Sequence, residues 1–124
     1  MTDTDTTAPP PPVGPYTPVV RAGDWVICSG QVGQRDGVLV DGGVGAQAAQ
    51  CVANLASLLA GHGLGLANVV KTTVFVTDIA DYAEVNAAYS VAFAGHRPAR
   101  SAIAVAGLPM GALVEIEAWA WAGD

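Results

Sequence analysis

Arg100-Ser-Ala-Ile-Ala-Val-Ala-Gly-Leu-Pro-Met-Gly-Ala-Leu-Val-Glu115-Ile-Glu-Ala-Trp-Ala-Trp121 is the stretch with the clearest β-pattern in the chain. Side chains alternate with a period of two on both sides of Gly107–Gly111, which predicts two strands. Before this connection larger residues alternate with alanines, and after it Val, Ile and Ala alternate with Glu and Trp. The connection contains Gly and Pro and is longer than a two-residue turn. We therefore expect a hairpin here, around which the rest of the domain folds.

The same stretch holds one cation and two acids. Arg100 opens the first strand, and Glu115 and Glu117 share one face of the second among Val, Ile, Ala and Trp. In a hairpin these charges lie toward opposite ends, so they meet only if a third element or another chain folds in. Most such charges are solvated surface groups, whereas charges in an apolar segment are usually paired or functional. Both interpretations stay open on these residues alone.

Length and composition predict a single domain that associates with copies of itself. The chain has 124 residues, of which 52% are hydrophobic and 13% charged, an apolar balance for a small domain. No apolar run approaches the roughly 20 residues of a membrane span, and no signal-peptide pattern opens the chain. We therefore expect a cytoplasmic protein without a membrane partner, and oligomerisation as the cover for its apolar surface.

Charge and cysteine usage exclude several classes of function. The net charge is −6, from 11 acids against five bases, which argues against a nucleic-acid partner because such affinity comes largely from clustered Lys and Arg. The spacing of Cys28 and Cys51 matches no metal motif, and we expect two buried reduced thiols rather than a disulfide. His62 and His96 have no neighbouring ligand cluster, so no metal site is predicted.

The remaining patterns predict the order of the elements. Residues 1–12, with their run of prolines, are expected to be a disordered tail, and residues 13–124 to form one domain. The predicted elements are β runs at 19–21, 25–29 and 34–39, a helix at 44–62, a strand at 69–77 and a helix from Asp78 or Asp81 to about 94, followed by the two strands above.

This order predicts an α+β domain with two helices on one face of a mixed sheet. Residues 69–76 and 114–121 carry apolar side chains on both faces of their strands, and two helices can cover only one face. The other face needs a second cover, which symmetric self-association supplies most economically.

Three positions near the ends of predicted elements are candidates for a site. Gly14-Pro15-Tyr16 predicts a turn that either directs the Tyr16 hydroxyl or caps the edge of the core. Gly30 allows a close approach of a ligand or of a neighbouring strand, with the strand slightly favoured. The second helix is predicted to bury a stripe made of Tyr82, Val85, Tyr89 and Phe93. Asn86 lies at the margin of this stripe and is either a surface amide or a group that reaches into a cleft.

Six short segments, distributed over Val13–Ala120, resemble the RidA (YjgF/translation-initiation-inhibitor) family of imine deaminases. They are Gly14-Pro15-Tyr16, Ser29-Gly30-Gln31, Val70–Val76, Val85-Asn86-Ala87, Arg100-Ser101 with Leu108-Pro109, and Val114-Glu-Ile-Glu117. The resemblance implies a chorismate-mutase-like fold assembled as a homotrimer with clefts between subunits. It also implies hydrolysis of enamine and imine intermediates of the 2-aminoacrylate/2-iminopropanoate type to 2-oxo acids and ammonia, without a cofactor.

Carried onto this sequence, the resemblance implies catalytic roles for Arg100 and Glu115. Arg100 would bind the substrate carboxylate through two parallel hydrogen bonds, and Glu115 would orient or deprotonate the attacking water. The implied substrate-binding residues are Tyr16, Ser29, Gly30, Asn86 and the backbone of Ala102. Many members of the family carry Cys where this chain has Ala102, so thiol-based redox control is expected to be absent there.

Two other functions compete with imine hydrolysis. The same clefts would serve a trimer that binds 2-oxo acids without turnover. An endoribonuclease or translation inhibitor conflicts with the acidic charge and with the lack of a His-based acid/base pair. The presence of both Arg100 and Glu115 favours the enzyme.

Overall fold

The computed structural model describes Pro9 and residues 11–124. Within this part of the chain there are seven strands, β1 (Val19–Ala22), β2 (Trp25–Val32), β3 (Gln34–Arg35), β4 (Val38–Leu39), β5 (Val69–Val76), β6 (Ala99–Ala104) and β7 (Val114–Trp121), and two α-helices, α1 (Gly43–Ala60) and α2 (Tyr82–Ala92). The predicted tail at 1–12 falls mostly outside the described residues. Positions 9, 11 and 12 belong to no helix or strand.

Five strands form one mixed sheet in the order β1-β2-β7-β5-β6. The pair β5 and β6 is parallel, and the other neighbours are antiparallel. β3 and β4 form a separate two-stranded ribbon. Both helices pack on one face of the sheet, α1 against β2 and β7 and α2 against α1. The predicted α+β architecture, a mixed sheet with two helices on one face, is confirmed.

The predicted hairpin between residues 100 and 121 is wrong. β6 and β7 are strands, but β5 lies between them and pairs with both. The connection runs past the end of β5, where Val105 N donates to Val76 O (2.8 Å) and Thr77 N donates to Leu113 O (3.2 Å). Alternation along a strand reports which face each residue occupies, not which strand lies beside it, so this pattern could not reveal the insertion.

The core lies between the sheet and α1. One face of β7 contributes Val114, Ile116, Ala118 and Ala120, all fully buried. They pack with the apolar stripe of α1, whose Leu55 and Leu59 are 0% exposed. Truncating either leucine to Ala would cost about 2–5 kcal/mol of unfolding free energy, since the cavity cannot fill.

Both cysteines lie in this core as free thiols, Cys28 in β2 and Cys51 in α1, as the sequence predicts. Burial raises the pKa of Cys28 to about 12. Burial also raises the pKa of Cys51, and the negative charge of Glu115 adds to the effect. Neither thiol therefore forms a reactive thiolate at neutral pH.

The sheet face opposite the helices carries large apolar side chains. Trp25 of β2 meets Trp119 and Trp121 of β7 edge to face, with ring centroids 5.8 and 4.9 Å apart. Trp119 is 42% exposed and Ile103, on β6, 46% exposed. This is the uncovered apolar face that the strand patterns predict; its covering by another copy stays a prediction. No helix within the described residues has the length and hydrophobicity needed to cross a membrane.

Candidate functional site

Four of the predicted site residues, Tyr16, Ser29, Gly30 and Glu115, line one cavity of about 380 Å³. We call it the acid cavity, because Glu115 and Glu117 of β7 both project into it. Gln31 also lines it, as do Pro11 and Pro12 from the stretch assigned to the tail.

A β-bulge in β2 shapes the acid cavity. Opposite β7, strand β2 advances three residues, from Cys28 to Gln31, while β7 advances two, from Ala118 to Ile116. The extra residue bends the strand, and bulges of this kind often lie next to active sites.

Gly30 sits in this bulge because the carboxylate of Glu115 occupies the space of a side chain there. A Cβ atom on Gly30 would overlap Oε2 of Glu115 and lie 2.7 Å from its Cδ. The sequence left open whether a ligand or a neighbouring strand approaches Gly30. The structure shows that a side chain of the neighbouring strand does so. Only a residue without a side chain leaves room for the Glu115 carboxylate in this position.

Two hydrogen bonds donated by Ser29 hold the loop of Tyr16 beside β2. Ser29 Oγ donates to Thr17 O (2.7 Å), and Ser29 N donates to Pro18 O (2.8 Å). The Tyr16 hydroxyl accepts a bond from Val13 N (3.3 Å), and the ring is 41% exposed. The hydroxyl of Ser29 is therefore committed to the scaffold, whereas that of Tyr16 keeps its proton available to the cavity.

Glu115 is half-buried, and its pKa is raised above the ordinary value. Desolvation is the larger cause, and the negative charge of Glu117 on the same strand face adds to it. A carboxyl group with a raised pKa is a stronger base when ionised and holds the accepted proton more readily. It is therefore suited to accept and return a proton.

Arg100 lies elsewhere, in a second cavity of about 340 Å³. We call it the arginine cleft; it is lined by Asn86, Tyr89, Ser90, Arg97, Pro98 and Arg100. Arg100 Nη2 donates to the Tyr82 hydroxyl (3.0 Å), and its Cζ lies 5.5 Å from the ring centroid of Tyr82 and 5.0 Å from that of Tyr89. Two aromatic rings of α2 thus hold the guanidinium by cation–π contact and one hydrogen bond.

No acid neutralises Arg100 within the described part of the chain, where the one ion pair is Arg21 with Asp24, 3.9 Å apart. A guanidinium held by aromatic groups keeps its charge and most of its five donors for an external anion. The arrangement suits a carboxylate bound by two parallel hydrogen bonds.

Asn86 lines the arginine cleft and carries an unused acceptor. Its Oδ1 is buried and has no hydrogen-bond partner among the described residues. Buried polar atoms of folded proteins are nearly always bonded, so this geometry favours the interpretation of Asn86 as a group that reaches into a cleft.

One chain does not bring Arg100 and Glu115 together. Arg100 pairs with Thr72 of β5, and the Thr72 hydroxyl bonds to that of Tyr89 (2.7 Å), so both side chains point toward the helices. Glu115 pairs with Phe75, three residues further along β5, and therefore points to the opposite face. Ala102 lies on the helix face of β6, half-buried, outside both cavities.

Sequence reasoning missed Tyr89, Arg97, Pro11 and Pro12 as residues of the two cavities, and Tyr82 as a partner of Arg100. The spacing of Tyr82 and Tyr89, two helical turns apart, indicated a shared face, but as part of the buried stripe. Tyr82 is instead 42% exposed, with its hydroxyl at Arg100. The signal that could have identified Tyr82 is its position at the edge of an apolar helix stripe, because a tyrosine hydroxyl there usually finds a hydrogen-bond partner.

Comparison with known proteins places this geometry in a family. The crystal structure of the YjgF gene product of E. coli matches with a TM-score of 0.86 at 40% identity, over 94% of each chain. That of E. coli TdcF with bound serine matches with a TM-score of 0.87 at 34% identity, over 95% of each chain. The family model described as endoribonuclease L-PSP matches residues 6–122. The chain belongs to the RidA/YjgF/L-PSP family.

A mammalian member of the RidA/YjgF/L-PSP family is also similar along most of its length. The mouse protein named 2-iminobutanoate/2-iminopropanoate deaminase is 45% identical over 120 residues, which cover 95% of this chain and 89% of the mouse protein. The family membership that the short segments predict is therefore confirmed.

Proposed function

We propose that this chain is a 2-iminobutanoate/2-iminopropanoate deaminase, which hydrolyses reactive imines to 2-oxo acids and ammonia. The observation that carries the proposal is the presence of two suitable groups: the guanidinium of Arg100, which no acid neutralises within the described residues, and the carboxyl of Glu115, whose pKa is raised. The 45% identity to the mouse deaminase supports the same activity. The proposal includes a cytoplasmic location and no cofactor.

The proposal requires another copy of the chain. Arg100 and Glu115 point to opposite faces of the sheet, so the arginine cleft of one subunit must meet the acid cavity of its neighbour. The exposed apolar face around Trp119 and Ile103 supplies surface for such contact. A chorismate-mutase-like homotrimer joins unlike surfaces around a closed three-fold axis and would contain three such sites.

In this arrangement the substrate carboxylate binds Arg100 through two hydrogen bonds. Asn86 lines the same cleft as Arg100, where its side chain would contact the bound substrate. Tyr16 and Gly30 line the acid cavity, and Ser29 holds the loop of Tyr16 in place. The backbone of Ala102 lies two residues along β6 from Arg100 and outside the cleft of the single chain; it would contact the substrate carboxylate once a neighbouring subunit completes the site. The residues thus position an electrophilic carbon next to a water and a base.

Glu115 carries the proton transfers. It accepts a proton from water as the oxygen attacks the imine carbon and the C=N electron pair moves to nitrogen, and it then returns that proton to nitrogen, giving a neutral carbinolamine. In the second step Glu115 takes the hydroxyl proton and passes it to nitrogen as the C–N bond breaks, so that ammonia leaves and the C=O group of the 2-oxo acid forms. One water is consumed per imine, and no metal or oxidant is needed.

A second candidate is a binding protein for small carboxylates without turnover. The related E. coli TdcF has been crystallised with serine bound, and an amino acid presents the same carboxylate that Arg100 is prepared to bind. We do not propose ribonuclease activity, because Glu115 and Glu117 would repel a phosphate backbone from the acid cavity.

Ammonia release separates the two candidates. Imines are generated in the assay from amino acids by an amino-acid oxidase, and the conversion to 2-oxo acid is followed with and without the protein. An enzyme accelerates this conversion in proportion to protein concentration. If the rate equals that of spontaneous hydrolysis while the protein binds 2-oxobutanoate, the binding protein is correct and the deaminase is wrong.

Mixing two inactive variants tests the assembly. Suppose that each site takes Arg100 from one subunit and Glu115 from its neighbour. Particles that contain both Arg100→Ala and Glu115→Gln subunits then form some sites in which both groups are wild type. Random mixing regenerates about a quarter of the sites, since each site needs two particular neighbours. Mixed particles as inactive as each variant alone would contradict a shared site.

A further inference from the structure

Arg97 lines the arginine cleft together with Arg100, and the mechanism above does not use it. The chain has five Lys and Arg residues against 11 acids. Two of these five cations converge on one cavity of about 340 Å³. In a chain of net charge −6 this is a local concentration of positive charge.

Both charges act on the same neighbour. Burial raises the pKa of Tyr89, while its hydrogen bond with Thr72 and the positive charges of Arg100 and Arg97 oppose that rise. Tyr89 therefore lies within electrostatic range of both guanidinium groups. An anion beside Tyr89 in the cleft would lie in the field of both.

The two arginines differ in how firmly they are held. Arg100 is half-buried and fixed by two tyrosine rings. Arg97 is exposed, and its Nη1 donates to His96 O (3.2 Å). Its exposure places Arg97 at the rim of the cleft. Within the described residues, neither arginine lies within 4 Å of an acid.

We propose that Arg97 is a specificity-determining residue that binds a second acidic group of the substrate, so that the site favours imines derived from dicarboxylic amino acids. This inference rests on the proposed function. Arg100 binds the carboxylate next to the imine carbon, and Arg97 at the rim binds a carboxylate at the far end of the side chain. Because Arg97 and Arg100 carry like charges on one cavity, a dianion there offsets the charge of both.

The expected size of the preference is modest. Arg97 is exposed, so its ion pair with a substrate is screened by solvent and salt, and its loss should lower selectivity about two- to fivefold. Rim charges of this kind affect specificity more than total affinity.

The experiment compares two imines on the full-length wild-type protein. 2-Iminobutanoate carries one carboxylate and 2-iminoglutarate two; both are generated by amino-acid oxidases. Arg97→Gln should lower the ratio of kcat/KM for 2-iminoglutarate over 2-iminobutanoate about two- to fivefold, mainly through KM. Arg97→Lys should retain most of the ratio, because the charge is kept. Arg21→Gln, which removes an arginine that lines neither cavity, should leave it unchanged.

Binding of the products separates failure of this inference from failure of the proposed function. Calorimetry with 2-oxoglutarate and 2-oxobutanoate needs no turnover, and the preference of wild type for 2-oxoglutarate should shrink at 0.5 M salt. If no imine is hydrolysed but Arg97→Gln removes that preference, the inference stands as a binding specificity and the deaminase fails. If imines are hydrolysed but Arg97→Gln affects both substrates equally, or salt leaves the wild-type preference unchanged, the inference is wrong.

Discussion

The acid cavity and the arginine cleft are built by different physical means. The acid cavity is shaped by backbone, because a bulge in β2 and the missing side chain of Gly30 make room for the Glu115 carboxylate. The arginine cleft is shaped by side chains, since Tyr82 and Tyr89 of α2 hold Arg100. Proton transfer needs an acid in a partly dry position, whereas anion binding needs a cation that no acid neutralises. The acid cavity meets the first of these needs, and the arginine cleft meets the second.

Of the variants considered, the one that lacks the acid should lose the most activity. Glu115→Gln keeps the shape of the side chain but removes the base, and kcat should fall roughly 10²- to 10⁴-fold with little change in substrate affinity. The measurement is imine hydrolysis at substrate saturation. Glu117→Gln is the matched control on the same strand face. An equal loss of kcat in that variant would show that Glu115 is not the specific base.

Gly30→Ala tests whether backbone shape places the acid. The new Cβ overlaps Oε2 of Glu115, so the carboxylate must move, and a displacement of about 1 Å can cost about 10²-fold in kcat. Gly107→Ala is the control, because a Cβ there meets nothing within 4 Å. Wild-type kcat in Gly30→Ala would show that the position of Glu115 does not matter.

Tyr82→Phe tests whether side chains hold the cation. The change keeps the ring but removes the hydroxyl that accepts from Arg100, so KM should rise about two- to tenfold while kcat stays close to wild type. Thermal stability should not change, since Tyr82 is 42% exposed.

Tyr89→Phe provides the contrast. It removes a hydroxyl bonded to buried Thr72 and should lower the free energy of unfolding by about 1–3 kcal/mol. A Tyr82→Phe variant that loses stability instead of affinity would make Tyr82 a structural residue.

The smallest expected effect concerns pH. Because the pKa of Glu115 is higher in the folded chain than in the unfolded chain, folding favours its protonated form. The stability from this group is complete below the unfolded pKa and is lost as pH rises through the folded value. Glu115→Gln should therefore slightly stabilise the fold at pH 7 and leave it unchanged near pH 4, as thermal melts at both values would show.

Glu117→Gln extends the pH test to activity. Removing its charge should lower the pKa of Glu115, so the acid limb of kcat/KM should move to lower pH. A limb that does not move would leave desolvation as the sole cause of the raised pKa.

Local patterns in the sequence determined much of this protein. The alternation of Val114, Ile116, Ala118 and Ala120 identified the buried face of β7, and helical spacing identified the stripe of α1. The short segments that resemble the RidA family identified the candidate residues. These features could be read from the chain because burial imposes a period of 2 on strands and 3.6 on helices.

Only the tertiary structure decided which elements became neighbours. It inserted β5 between β6 and β7, turned Arg100 and Glu115 to opposite faces, placed the Glu115 carboxylate against Gly30, and brought Arg97 beside Arg100. Neighbours distant in sequence depend on how whole faces pack against one another, and a periodic pattern carries no information about that choice.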